Sequence, residues 1–132
     1  MILLDANVLM YAAGVDHPNK QPSVRLLERI ARREIEAALD AESLQEILHR
    51  YRTLGRWVEG KRVYDLARQL FPQVLPVTAE VLDEARALMD RYEQLSARDA
   101  LHAAVVSVRG LEAICSFDRD FDALAGLRRI EP

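Results

Sequence analysis

Apolar positions along the chain fall in short runs that switch between the continuous pattern of a buried strand and the three-to-four spacing of an amphipathic helix. In the opening "MILLDANVL", Ile2 to Leu4 predict a short buried strand, and Asn7 to Ala13 read as a short helix ended by Gly14. Pro22 suits a first helical turn, and Val24, Leu27, Ile30 and Ala31 predict a second helix to about Arg33. Ala37 to Leu39 form another brief apolar run, followed by Ser43 opening a helix with Leu44, Ile47, Leu48 and Tyr51 on one face. Gly55 breaks that pattern, and Val63, Leu66, Ala67 and Leu70 mark the next helix.

Prolines flanking Val74 and Leu75 predict an edge strand, because proline cannot donate to a central ladder. Thr78 reads as the N-cap of a long helix carrying Val81, Ala85, Leu88 and Tyr92. A further helix from Arg98 to Arg109 presents Leu101, Ala104, Val105 and Val108 and stops at Gly110. "EAICSFD" is the next buried strand, and "LRRI" a last short edge strand. Strands alternating with helices predict one α/β domain over residues 1–132 with a central, mostly parallel sheet of about five short strands. In such sheets ligands collect beyond the carboxyl ends of the strands.

Composition narrows the setting. A chain of 132 residues can bury a sizeable core, and its one cysteine, Cys115, lies in an apolar run, as a small buried hydrophobe in a reducing compartment would. No stretch has the length and apolarity of a membrane span or the pattern of a signal peptide, so a soluble cytoplasmic protein without a membrane partner is expected. The net charge of −3 argues, taken alone, against an anionic partner.

Four acids change that picture. Asp5 ends the first strand, Asp118 follows the "AICSF" strand, and Glu46 and Asp99 lie in helical first turns off their helices' apolar stripes. Each has a local explanation: Ser43 to Glu46 and Ser96 to Asp99 fit capping boxes, Asp5 fits a helix cap, and Asp118 fits an Asx turn. Together, at one edge of a parallel sheet, four carboxylates would repel one another unless a cation neutralised them. Oxygen donors without cysteine or paired histidine select hard cations such as Mg²⁺ or Mn²⁺. Such ions suit hydrolysis of a phosphodiester.

In order and spacing, "LLDANVL", "SLQEIL", "RDALHAA" and "SFDRDF" resemble the acidic motifs of PIN-domain ribonucleases, in particular VapC-type toxins of bacterial toxin–antitoxin pairs. The resemblance runs from Ile2 to Phe121. It implies a three-layer α/β/α fold, dependence on Mg²⁺ or Mn²⁺, and endonucleolytic cleavage of structured RNA such as tRNA or rRNA. By position it implies Asp5, Glu46, Asp99 and Asp118 as the catalytic, metal-binding acids, with Asn7 and Ser116 orienting a carboxylate or a water. Asp120 stands as an outer acid or as a substitute for Asp118. Ala6 and Ser116 occupy positions where the family often has Thr. The resemblance further implies a homodimer and an antitoxin that covers the acidic pocket.

Setting those four acids aside leaves a weakly positive remainder, which removes the objection to RNA. Arg50, Arg52, Arg56, Lys61 and Arg62, interleaved with Tyr51, Trp57 and Tyr64, form a candidate RNA-binding stretch, or else a solvated face with its aromatics in the core. His102 either hydrogen-bonds Asp99 from three residues away or is structural. Three other functions compete: a housekeeping RNA-processing nuclease without an antitoxin, a non-catalytic PIN domain that only binds RNA or protein, and a phospho-accepting signalling module. The last wants a lysine after the final strand, and the chain's lysines are Lys20 and Lys61.

Overall fold

A computed structural model describes every residue from Met1 to Pro132. Its elements are β1 (Ile2–Leu4), α1 (Ala6–Ala13), α2 (Lys20–Ala31), β2 (Ala37–Asp40), α3 (Ala41–Thr53), α4 (Trp57–Leu70), β3 (Val74–Leu75), α5 (Ala79–Arg91), α6 (Ala97–Arg109), β4 (Ala113–Cys115) and β5 (Arg129–Ile130), with a short 3-10 turn over Arg119–Ala123. The strands lie in the order β3-β2-β1-β4-β5, and every neighbouring pair is parallel. The two strands flanked by proline or by the chain end, β3 and β5, form the edges as their sequences predict.

Strand alternation builds the layers. Ile2, Leu4, Ala113 and Cys115 point into a core shared with α1 to α4, whereas Leu3 and Ile114 point into a second core under α5 and α6. The sheet is therefore buried on both faces, which is why its central strands are apolar at every position except the last residue of β2, Asp40. The strand order reverses between β1 and β4, and the crevice at their carboxyl ends is the place where an open α/β sheet receives ligands.

Several boundaries differ from the pattern, each for a local reason. Helix α3 begins at Ala41, not Ser43, because Asp40 is its N-cap and accepts the Ser43 N–H at 2.9 Å. Ser43 thereby sits inside the first turn, its Oγ buried without a partner. Helix α2 starts at Lys20, ahead of Pro22, and its buried stripe takes Leu26 in place of the exposed Ala31. Helix α6 is buried well beyond one stripe, at Ala100 and from His102 through Val106, because it lies between the sheet and α5. Ser96, Thr78 and Gly110 cap their helices as expected, Gly110 in the left-handed region at φ 63°. Gly60 lets α4 approach α3: a Cβ there would lie 2.5 Å from the Cβ of Tyr51. No helix is long and apolar enough to cross a membrane.

Candidate active site

The carboxyl ends of β1 and β4 and the first turns of α3 and α6 surround a cleft of about 1170 Å³. Asp5, Asn7, Glu46, Asp99 and Asp118 all line it. Four acids that are remote in sequence therefore share one opening: Asp5 and Asp118 lie just past β1 and β4, Asp99 lies in the first turn of α6, and Glu46 lies in the second turn of α3, one turn beyond the first-turn position its sequence suggested because α3 starts at Ala41. The carboxylates fall into two adjoining groups. Oxygens of Asp5 and Glu46 lie with a His102 nitrogen within 4.8 Å of one another, as do oxygens of Asp99, Asp118 and Asp120.

Ser116, just past β4, ties the first and last segments together. Its hydroxyl donates to Asp5 Oδ2 at 2.6 Å and accepts from Asn7 Nδ2 at 3.1 Å and from the Asp118 N–H at 2.9 Å. Asn7 supports Asp5 in two ways, with its backbone N–H on Oδ1 at 3.4 Å and with its side chain through Ser116. The Asn7 Oδ1 atom is buried and has no hydrogen-bond partner. Asp118 accepts the Asp120 N–H at 2.9 Å, so Asp120 shapes the turn while its own carboxylate stays exposed and outside the cleft lining.

Glu46 is held from two sides. His102 Nε2 lies 3.0 Å from Glu46 Oε1, and Arg98 Nε lies 3.2 Å from the same oxygen and 3.4 Å from Glu42. The other nitrogen of His102 bonds Asp40 Oδ2 at 2.7 Å. His102 thus turns away from Asp99, the partner its sequence position suggested, and spans two carboxylates in the interior. Burial opposes a charge on its ring, but the hydrogen bonds to Asp40 and Glu46 outweigh that and hold its pKa well above the usual value. Asp40 is the residue that sequence reasoning missed. Its signal was present, a carboxylate at the end of an apolar run, but Ser43 offered a competing helix start.

Two of the acids facing the cleft, Asp5 and Asp99, are pushed toward their neutral forms. Burial raises the pKa of Asp5, against the stabilising effects of His102 and Ser116. Burial first, and then repulsion from Asp118 and Asp5, raise Asp99 to about 6. The donor set is of the kind that suits a hard cation: carboxylate oxygens are gathered, those of Asp5 and Asp99 have no ion-pair partner, and the orphaned Asn7 Oδ1 is a further acceptor in the same cleft lining.

A family model described as "PIN domain" matches residues 2–127 of the chain. The chain belongs to the PIN-domain family. Ribonuclease VapC13 of Mycobacterium tuberculosis is 40% identical over 130 residues, covering 98% of this chain and 99% of that protein. Among solved structures, Mycobacterium tuberculosis VapC20, a sarcin-ricin-loop-cleaving toxin, superimposes with a TM-score of 0.80 at 18% identity over the whole of both chains. A toxin–antitoxin complex from Klebsiella pneumoniae matches with a TM-score of 0.67 at 16% identity, covering 96% of this chain and 95% of that one. At those identities the two structures establish the shared fold.

The basic stretch of this PIN chain divides. Arg50 and Arg56 line the cleft together with His49 and Arg98, and Arg56 is paired with Glu59. Arg52 instead lies over the Trp57 ring at 4.3 Å, and Lys61 and Arg62 are exposed on α4 outside the cleft lining. Tyr51 is buried and Tyr64 packs against the core, so two of the three interleaved aromatics are structural.

Proposed function

We propose that this chain is a divalent-cation-dependent endoribonuclease that cuts structured RNA, tRNA or rRNA, as the toxin of a toxin–antitoxin pair. The observation that carries the reading is the convergence of Asp5, Glu46, Asp99 and Asp118 on one cleft at the strand-order reversal. Full-length similarity to a VapC ribonuclease supports RNA as the substrate. The resemblance in fold to a toxin–antitoxin complex is consistent with an antitoxin partner. The antitoxin covers the acidic pocket, and the toxin works in the cytoplasm as a homodimer.

Asp5, Glu46, Asp99 and Asp118 hold the cation, Mg²⁺ or Mn²⁺ by the hardness of the oxygen set. Bound there, such an ion supplies Lewis acidity to the scissile phosphodiester and lowers the pKa of an attacking water. The chain's own residues prepare that site. Ser116 fixes the orientation of Asp5, and Asn7 offers a free acceptor oxygen beside it. Both nitrogens of His102 are engaged by carboxylates, so it acts as neither ligand nor general base but holds Glu46 at the rim. Arg50, Arg56 and His49 on the cleft wall receive phosphates.

Incubation of the purified protein with total RNA, with and without Mn²⁺ or Mg²⁺, beside Asp5→Ala and Asp99→Asn, tests the reading. Discrete cleavage products that require both metal and acids are expected. Equal cleavage by the variants, or in excess chelator, overturns it. A short reading frame for a DNA-binding antitoxin immediately upstream distinguishes the toxin from a housekeeping nuclease.

A further inference from the structure

Three rings that the catalytic reading leaves unused stand together on the cleft wall. Tyr11, in the last turn of α1, has its ring centroid 4.8 Å from that of His17 at an interplanar angle of 35°, and 5.2 Å from that of Phe117 in an edge-on arrangement. All three line the same cleft as the acids. Tyr11 lies one turn beyond Asn7 on α1, and Phe117 immediately precedes Asp118, so the rings adjoin the acidic floor by covalent placement.

His17 is exposed yet held in place. The Asn19 N–H donates to its Nδ1 at 3.0 Å, the Lys20 N–H donates to its carbonyl at 3.0 Å, and Lys20 Nζ closes the loop on the Gly14 carbonyl at 2.6 Å. With Nδ1 occupied as an acceptor, the neutral ring carries its proton on Nε2, which has no partner within the protein. A cluster of rings in mutual contact, presenting one free N–H donor, is a surface for a flat, hydrogen-bonding ligand. The cations Arg50 and Arg56, which line the same cleft, suit the phosphates of the same molecule.

From this we infer that Tyr11, His17 and Phe117 form a stacking subsite for an unpaired nucleobase of the RNA, placing the adjoining phosphodiester over the acids. The inference rests on the ribonuclease reading and adds the base-recognition element to it. Stacking is tolerant of base identity, so the subsite selects unpaired over paired nucleotides, and the His17 Nε2–H adds a preference for an acceptor on the base edge.

The probe is a short single-stranded oligoribonucleotide with a fluorescent adenine analogue at one internal position, titrated in chelator so that no cleavage occurs. Binding to the parent protein is expected to quench the analogue. His17→Ala and Tyr11→Leu should weaken binding by about five- to tenfold, with the quench lost and the salt dependence unchanged, since stacking releases no counterions. His17→Phe, which restores a ring face, should recover most of the affinity. In Mn²⁺ the same variants should raise KM for cleavage of the oligoribonucleotide and also lower kcat, as loss of a positioning contact does, with His17→Phe recovering most of both. Undiminished binding and quenching in both His17→Ala and Tyr11→Leu, or failure of His17→Phe to recover what His17→Ala loses, overturns the subsite. If those variants weaken only the complex with an antitoxin, the rings serve a protein partner and the proposal fails. Absence of metal-dependent cleavage by the parent overturns the ribonuclease reading instead, whatever the quenching shows.

Discussion

Asp5 and Asp40 occupy equivalent places at the ends of adjacent parallel strands, and each caps the helix that follows. Their carboxylates accept a local N–H in the same manner, Asp5 from Asn7 and Asp40 from Ser43. What separates them is a neighbour from far along the chain. Asp40 is fully buried and hydrogen-bonded to His102, whereas Asp5 lines the cleft and takes hydrogen bonds only from the Ser116 hydroxyl and the Asn7 N–H, with His102 near but not bonded to it. A strand end supplies a carboxylate in both cases. Whether that carboxylate braces the interior or is left for a ligand depends on whether an internal cation reaches it first.

The sharpest way to break this contrast is to neutralise each acid isosterically. Asp5→Asn should reduce RNA cleavage on the order of a thousandfold, the scale at which a pre-organised electrostatic element acts. The same change removes a carboxyl that burial already pushes toward neutrality, so the metal-free melting temperature should hold or rise. Asp40→Asn should do the reverse, costing about 3–5 kcal/mol in urea denaturation because it leaves His102 as a buried charge short of one partner. Similar stability losses in both variants would dissolve the distinction.

The pH response sharpens it further. Folded Asp99 holds its proton up to about 6, while the unfolded carboxyl is ionised well below that. The metal-free protein should therefore lose stability as the pH rises from the ordinary aspartate range through about 6, with no further loss from this group above it. Mn²⁺ binds the ionised form, so its affinity should climb over the same window and reverse the loss. Calorimetric melting with and without Mn²⁺ across that range checks both, and a flat metal-free profile counts against the clustered site.

Smaller effects separate the cleft wall from the outer face of α4. Arg50→Ala should lower the salt slope of RNA binding by about one unit, and Lys61→Ala should leave it unchanged. The smallest change is expected at Ser43, whose buried hydroxyl has no partner: Ser43→Ala should be neutral or stabilising by up to about 1 kcal/mol in thermal or urea melts.

The strand and helix alternation, the edge positions of the proline-flanked Val74–Leu75 strand and of "LRRI", and the caps at Thr78, Ser96 and Gly110 were legible in the sequence, because each depends on a residue's relation to its own element. So was the placing of four acids at one sheet edge, which follows once the crossovers are read as parallel. The α3 start was misplaced because Asp40 and Ser43 are both good caps, and only the backbone path chooses between them. The division of the basic stretch was equally hidden: Arg50 and Lys61 look alike in composition, and helix packing alone turns one to the cleft and the other away.

From the sequence alone follow a parallel α/β layering and the acids it delivers to the strand ends, since apolar periodicity and capping chemistry act over a few residues. Tertiary structure decided which acids remain available. His102 reaches Asp40 across 62 positions and Glu46 across 56, and Ser116 reaches Asp5 across 111. Contacts at such separations arise from the way layers pack rather than from any local preference, so the neutralised Asp40 and the available Asp5 become distinguishable only in the folded chain.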